Sequence, residues 1–257
     1  MLISHRYRFI FLHNRKAAGS SVTAFLNRLM GPNDLQVGIW RDAIRYGGRY
    51  NRRIVRETLS RDGLRAAGYY ARKLRAPRPS RFVERVQEYK YAPILHTTNI
   101  AHPTAAAVRD AFPHEWEAYW KFCVVRDPYE KAISDYYWMT RKLPRGQVTF
   151  TEFLKRLADP KRPDPERVVP NPPTNWPLYT IDDEIVADRI CRYTYLEADL
   201  VRVLREIGVD DLEGSLPRAK NAANKKSERA CEWEKEDVDL VKLIYRQELT
   251  SHDESYF

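Results

Sequence analysis

Apolar and polar positions alternate along this chain in a way that separates strands from helices. Arg8–His13 is a short β-branched and aromatic run ending at Asn14, and it reads as a buried strand. A loop of small residues follows, Arg15-Lys16-Ala17-Ala18-Gly19-Ser20-Ser21. Val22, Phe25, Leu26 and Leu29 then recur at helical spacing until Gly31-Pro32 stops the helix. The same order returns further on. A short helix over Thr104–Phe112 precedes a second strand over Tyr119–Val125, and Arg126-Asp127-Pro128 opens a helix to about Arg141. Asp127 suits the N-cap of that helix and Pro128 its first turn. A third strand lies within Ile185–Tyr195. The helix Leu196–Ile207 turns Leu200, Val203, Leu204 and Ile207 inward, and Glu234–Leu249 is a final amphipathic helix. No internal repeat is visible. Strands alternating with helices predict an α/β fold: one three-layer domain over residues 1–257 around a central, mainly parallel sheet.

Two stretches break this rhythm. Residues 159–177 hold 7 of the chain's 16 prolines and read as a proline-ordered loop. Residues 41–90 read as a mainly helical, arginine-rich insertion. There Val55, Leu59, Ala67, Ala71 and Leu74 form an apolar stripe with arginines elsewhere around the helix, weakened by Gly63 and Gly68 and closed by Ala76-Pro77-Arg78-Pro79. Charge sharpens the contrast. The chain carries 44 basic and 35 acidic residues, a net of +9; residues 41–90 alone hold 15 basic and 5 acidic ones, leaving 29 and 30 elsewhere. The excess therefore belongs to one segment of an otherwise neutral body.

Composition removes several classes. At 257 residues and 43% hydrophobic, the chain is long and apolar enough to bury a core, and it is neither collagenous nor disordered. No apolar run approaches the roughly 20 residues of a membrane span. Phe9-Ile10-Phe11-Leu12 is too short for a signal-peptide core. Cys123, Cys191 and Cys231 are odd in number and lack metal-ligand spacing, so they read as buried thiols of a cytoplasmic protein.

The chemistry concentrates at two strand–helix junctions. A strand that turns through small residues into a helix start exposes backbone N–H groups and the positive end of the helix dipole, which suits an anion. The nucleotide-kinase pattern G-x-x-x-x-G-K-[ST] is absent. Here Lys16 precedes Gly19, and Ser20-Ser21 follow it, so the lysine reaches over the anion from the strand side. At the second junction, Arg126 ends a strand and Ser134 lies two turns into the next helix. Both can converge on one anion at the sheet edge where α/β proteins gather ligands.

Taken together, H-x-x-K-x-x-G-S-S from His13 and V-V-R-D-P-Y-x-K-x-I-S-x-Y-Y from Val124 resemble the sulfotransferases that use 3′-phosphoadenosine 5′-phosphosulfate, and more narrowly their carbohydrate and bacterial branch. The resemblance continues in His102-Pro103-Thr104-Ala105, in Trp116-Glu117-Ala118-Tyr119-Trp120-Lys121-Phe122 and in Arg192-Tyr193-Thr194-Tyr195-Leu196-Glu197-Ala198-Asp199-Leu200. It implies a P-loop-like loop in which Arg15, Lys16, Ala17, Ala18, Gly19, Ser20, Ser21 and Val22 hold the 5′-phosphosulfate, while Arg126 and Ser134 hold the 3′-phosphate. Lys225, with Lys220 and Lys226, lies where relatives close over the nucleotide. Transfer is an in-line displacement in which Lys16 stabilises the bridging oxygen and a histidine accepts the hydroxyl proton. His102 fits the family's H-x-x-A pattern as that base, His96 is its rival, and Glu115 and Glu117 stand behind them; His13 supports the loop. No metal is required. Arg15 stands where the family usually has proline, and either adds a second charge on the phosphosulfate or points to solvent. Thr194 stands where glutamate is frequent.

The implied acceptor is a hydroxyl of a carbohydrate or glycolipid, bound by the variable stretches 32–101 and 143–180. Trp40, Trp138, Trp176 and Tyr179 could stack on a ring there, although packing is the commoner role for each. The arginine-rich segment reads as a cover for an anionic or glycan acceptor or as a contact with an anionic membrane, the latter placing the protein at the inner face of the membrane. Competing readings are a kinase-like phosphotransferase and a nucleic-acid module built on this segment with Tyr46, Tyr50, Tyr69 and Tyr70. A nucleic-acid module has no need of two separate phosphate sites, so no nucleic-acid partner is expected.

Overall fold

A computed structural model describes residues 1–74, 76–209 and 233–250. Five strands form the main sheet: β1 Leu2–Ser4, β2 Phe9–Leu12, β3 Leu35–Gln36, β4 Trp120–Val125 and β7 Arg189–Arg192, in the order β3-β1-β2-β4-β7. A two-stranded ribbon, β5 Thr180–Ile181 and β6 Glu184–Ile185, stands apart. The sheet is mixed, which corrects the mainly parallel sheet expected from the strand–helix alternation. β2, β4 and β7 are parallel, with Phe11 beside Phe122 and Val124 beside Cys191, but β1 runs antiparallel to both β2 and β3. The cause lies in the turn at residues 5–8: β1 folds straight back onto β2, and a connection that short permits only an antiparallel pair.

Both sheet faces are covered, so β2 is apolar throughout rather than alternating. On one face Ile10, Leu12, Cys123 and Ile190 pack with Tyr91, Val108, Trp116 and Tyr179. On the other, Phe9, Phe11, Phe122 and Val124 meet Val22, Phe25 and Leu26 of α1 (Gly19–Leu29) and Leu200, Val203 and Leu204 of the helix Leu196–Glu206. Three layers result, as expected. Asp127 accepts the Glu130 N–H and caps the helix Pro128–Thr140, again as read from sequence. The final helix is interrupted at Tyr245 into Lys235–Ile244 and Arg246–Thr250.

The insertion is helical: α2 Trp40–Arg45, α3 Arg52–Thr58, α4 Arg61–Arg72 and α5 Pro79–Tyr91. Its inward side is not the one that periodicity suggested. Trp40, Ile54 and Val83 form its small core, whereas Val55, Leu59 and Leu74 are exposed. The stripe exists and faces solvent. Packing uses glycine instead: Gly63 lets the start of α4 sit on the Thr58 carbonyl, which an added Cβ would meet at 1.8 Å. One side chain fastens the insertion to the sheet edge. Gln87 Oε1 accepts from the Gly38 N–H at 3.0 Å and from the Trp40 indole at 2.9 Å, and its Nε2 donates to the Gln36 carbonyl at 2.6 Å.

Gln87→Leu leaves two donors and an acceptor buried without partners. It should cost about 2–4 kcal/mol of stability in urea unfolding, whereas Asp62→Asn, which breaks the exposed pair with Arg65, should cost under about 0.5 kcal/mol. A Gln87→Leu loss no larger than that of Asp62→Asn contradicts this account.

Candidate functional site

The carboxyl ends of β2, β4 and β7 open into one cavity of about 990 Å³. These are the three mutually parallel strands, so the site occupies the parallel half of the sheet and follows the rule for α/β folds. His13 and the loop after β2, Arg126 after β4, and Tyr193 to Ala198 after β7 all line it.

The first loop is shaped by two residues in the left-handed region, Lys16 at φ 60° and Ala18 at φ 56°. Each costs on the order of 1–2 kcal/mol outside glycine. Ala18 is the N-cap of α1 and supplies no side-chain acceptor, so the helix start faces the cavity without a capping carboxylate or hydroxyl. Gly19, Ser20 and Ser21 line the cavity. Ala17 and Val22 do not: both are fully buried in the core beneath the loop and anchor it. Gly19 is required by proximity, since an added Cβ would stand 1.9 Å from the His13 ring. Lys16 places Nζ 4.7 Å from the centre of the Trp138 ring, so the loop cation is held against an aromatic face.

Arg15 is not the solvent-facing residue that one expectation had, and its charge already has a partner inside the protein. It borders the cavity, but its guanidinium turns into the protein. Nε and Nη2 bind the two oxygens of Asp135 at 3.0 and 3.1 Å, and Nη1 and Nη2 donate to the carbonyls of Pro172 and Pro173. Lys131 Nζ meets the same carboxylate at 2.8 Å. Asn175 brackets the Arg15 backbone, accepting its N–H and donating to its carbonyl. Burial alone would push the Asp135 carboxyl up, but Lys131 and Arg15 outweigh it and hold it at about 2. Lys131 and Asp135 stand in the same sequence stretch as Ser134, and their i,i+4 spacing was the available signal for this buried pair. Asn175 gave none.

The helix Pro128–Thr140 thus has two working faces. Lys131 and Asp135 point inward, while Ser134 and Trp138, also four apart, line the cavity. Ser134 shares it with Arg126, whose guanidinium lies 4.3 Å from the centre of the Tyr193 ring and pairs with Glu130. His102 is also in the cavity. Its Nδ1 is 2.8 Å from the His13 carbonyl, which can only accept, so Nδ1 carries the proton and Nε2 is the basic nitrogen of the neutral ring. The His13 and His102 rings lie 4.5 Å apart. His96 is exposed and does not line the cavity, nor do Glu115 and Glu117. Lys220, Lys225 and Lys226 lie outside the described residues. Trp40, Trp176 and Tyr179 are buried packing residues, which leaves Trp138 as the cavity aromatic of that group.

A family model described as "Sulfotransferase family" matches residues 1–252. The chain belongs to the sulfotransferase family. It is a transferase, and its chemistry is sulfuryl transfer. No curated protein and no solved structure matches it. In this sulfotransferase the two expected anion-binding groups, the loop at Lys16–Ser21 and the pair Arg126–Ser134, open into the same cavity, with His102 beside them.

Two outcomes follow for stability. Asp135→Asn leaves two buried cations short of a counter-charge and should lose about 3–5 kcal/mol in denaturant unfolding. Because the folded carboxyl is depressed, its contribution is present above about pH 4 and lost as pH falls toward 2; the variant should lack that part of the acid limb, and an unchanged acid limb contradicts the assignment. Gly19→Ala should cost about 1–3 kcal/mol by overpacking. His13→Ala added to it should recover part of that loss, and a double variant that is merely additive shows that the clash is not with His13.

Proposed function

We propose that this sulfotransferase moves a sulfuryl group from 3′-phosphoadenosine 5′-phosphosulfate to a hydroxyl of a carbohydrate or glycolipid, as in the carbohydrate and bacterial branch of its family. The observation that carries the reading is one cavity lined, at the ends of adjacent parallel strands, by two groups suited to anions. The residues fit a donor that is anionic at both ends: an uncapped helix start beside Lys16, and a guanidinium with a serine hydroxyl at the next strand end. When bound, that donor supplies an activated sulfuryl group on a phosphate leaving group.

Each residue then has a definite task. The N–H groups at the start of α1 orient the phosphosulfate, and Lys16 meets the negative charge that develops on the phosphate oxygen as its bond to sulfur breaks. Arg126 and Ser134 hold the 3′-phosphate, which fixes the line of attack. His102 takes the acceptor hydroxyl proton at Nε2 while the Nδ1–H bond to the His13 carbonyl keeps the ring oriented. Trp138 holds Lys16 in place and offers a ring face to the acceptor. The chain acts as one catalytic unit, in a reducing cytoplasm. That setting suits Cys123 and Cys191, which are buried on adjacent strands, with burial pushing the Cys191 thiol up to about 12.

Calorimetry with adenosine 3′,5′-bisphosphate should show binding that Arg126→Ala weakens about 10- to 100-fold, the loss of a charged hydrogen bond. His102→Ala should abolish transfer from labelled donor to a panel of hydroxyl acceptors and leave nucleotide affinity unchanged, while His96→Ala leaves both intact. Binding of ATP in preference to the bisphosphate supports a kinase-like reaction instead and overturns the donor assignment.

A further inference from the structure

The outward stripe of the insertion is more than a missed packing face. Leu59, Leu64 and Leu74 are 80%, 75% and 94% exposed and Val55 is 50% exposed, with Ala67 and Ala71 open between them. On α4 the positions 64, 67, 68 and 71 make one helical stripe, and Arg61, Arg65 and Arg72 flank it, all exposed. Arg52 and Arg56 flank Val55 on α3 in the same way. Residues 52–74 hold seven basic residues against two acidic ones. Of those two, Glu57 is buried among Arg53, Lys90 and Tyr91, and Asp62 pairs with Arg65. The surface is therefore apolar at its crest and cationic around it.

We propose that this face docks on an anionic lipid bilayer. Leucines on the crest suit the boundary of headgroups and acyl chains, and guanidinium forks suit the phosphates beside it. At 7 and 12 residues, α3 and α4 are too short to cross a bilayer and would lie along it. Nucleic acid fits less well, because the tyrosines that could stack on bases are engaged inside the insertion: Tyr69 under Arg85, and Tyr70 against Phe82 with its hydroxyl on the Arg81 carbonyl. A second copy of the chain fits less well too, since a twofold contact would set like charges against each other. Ile39, the residue before α2, lines the cavity. A docked insertion thus ties the transfer site to the lipid surface and favours a lipid-linked hydroxyl; that step rests on the proposed transfer reaction, whereas the docking does not.

Sedimentation of the full chain with vesicles decides it. Binding is expected to phosphatidylcholine vesicles containing phosphatidylglycerol, falling with added salt, and not to phosphatidylcholine alone. Arg61→Gln and Arg72→Gln should each weaken it about fivefold, and Leu64→Ser about tenfold, with thermal unfolding unchanged because all three side chains are exposed. Absence of binding to the anionic vesicles, or binding that Leu64→Ser does not alter, overturns the proposal. So does binding of an oligonucleotide, or a salt-insensitive dimer, in place of vesicle binding. Calorimetry with the bisphosphate separates the two ideas: loss of vesicle binding with nucleotide binding intact sinks the docking alone.

Discussion

The carboxylate of Asp135 is the point on which the site's geometry depends. It joins a loop after the first parallel strand, a helix after the second and, through Arg15, two carbonyls of the proline-rich stretch. Asn175, which grips the Arg15 backbone, also donates its N–H to Glu248 of the helix Arg246–Thr250. Segments from four distant parts of the sequence thus meet at one buried charge cluster. Taking three ions out of water costs several kcal/mol for each, and Coulomb attraction offsets that cost only when every donor and acceptor is met. Here both carboxylate oxygens are bound and the guanidinium is shared between charge and backbone. Apolar side chains could fill the same volume. They could not aim a loop, because dispersion has no direction, and aim is what the cluster adds.

That aim reaches the cavity through the helix Pro128–Thr140. A rigid helix whose inner face is locked at Lys131 and Asp135 has no freedom left at Ser134 and Trp138, which stand on its outer face. Trp138 in turn seats Lys16, whose own backbone is held left-handed by the Arg15 side of the same loop. Strain at Lys16 and Ala18 is sustained because the residues on both sides are pinned: Arg15 by the charge cluster, Ala17 by the core. The loop is therefore held in a fixed pose, and preorganisation of that kind is what charge stabilisation in the proposed group transfer requires.

How much of this could be read from residues alone varies with the range of the interaction. The strand Phe9–Leu12, the cap at Asp127 and the helix at Leu196 are local, and their periodicity and capping chemistry identified them. The two junction motifs pointed to Lys16, Arg126 and Ser134, and the family resemblance pointed to His102; all four line one cavity. Failures came where two distant segments decide. Arg15 was expected, from the resemblance, to add charge to the loop or point to solvent, and only the proline-rich stretch, some 157 residues away, shows why its guanidinium turns inward. The antiparallel β1 was missed because Leu2–Ser4 is too short to show a period. The stripe in α3 and α4 was found correctly, but periodicity identifies a face and not which way it looks. Burial was decided by Ala66 and Gly63, the small residues that let helices approach.

The same contrast explains why the net charge of +9 says little about the transfer site. Arg15, Lys131 and Arg126 are nearly sealed from water, so their fields are weakly screened and each acts on one partner at short range. The arginines of the insertion are exposed, so beyond about 8 Å at physiological salt each is screened from the others. Their effect can only be collective, on a surface that spans many of them at once. A body near neutrality and an insertion of +10 are thus two electrostatic regimes on one chain. Salt distinguishes them, because raising ionic strength erodes the collective attraction of the exposed set while leaving the buried contacts that shape the cavity almost untouched.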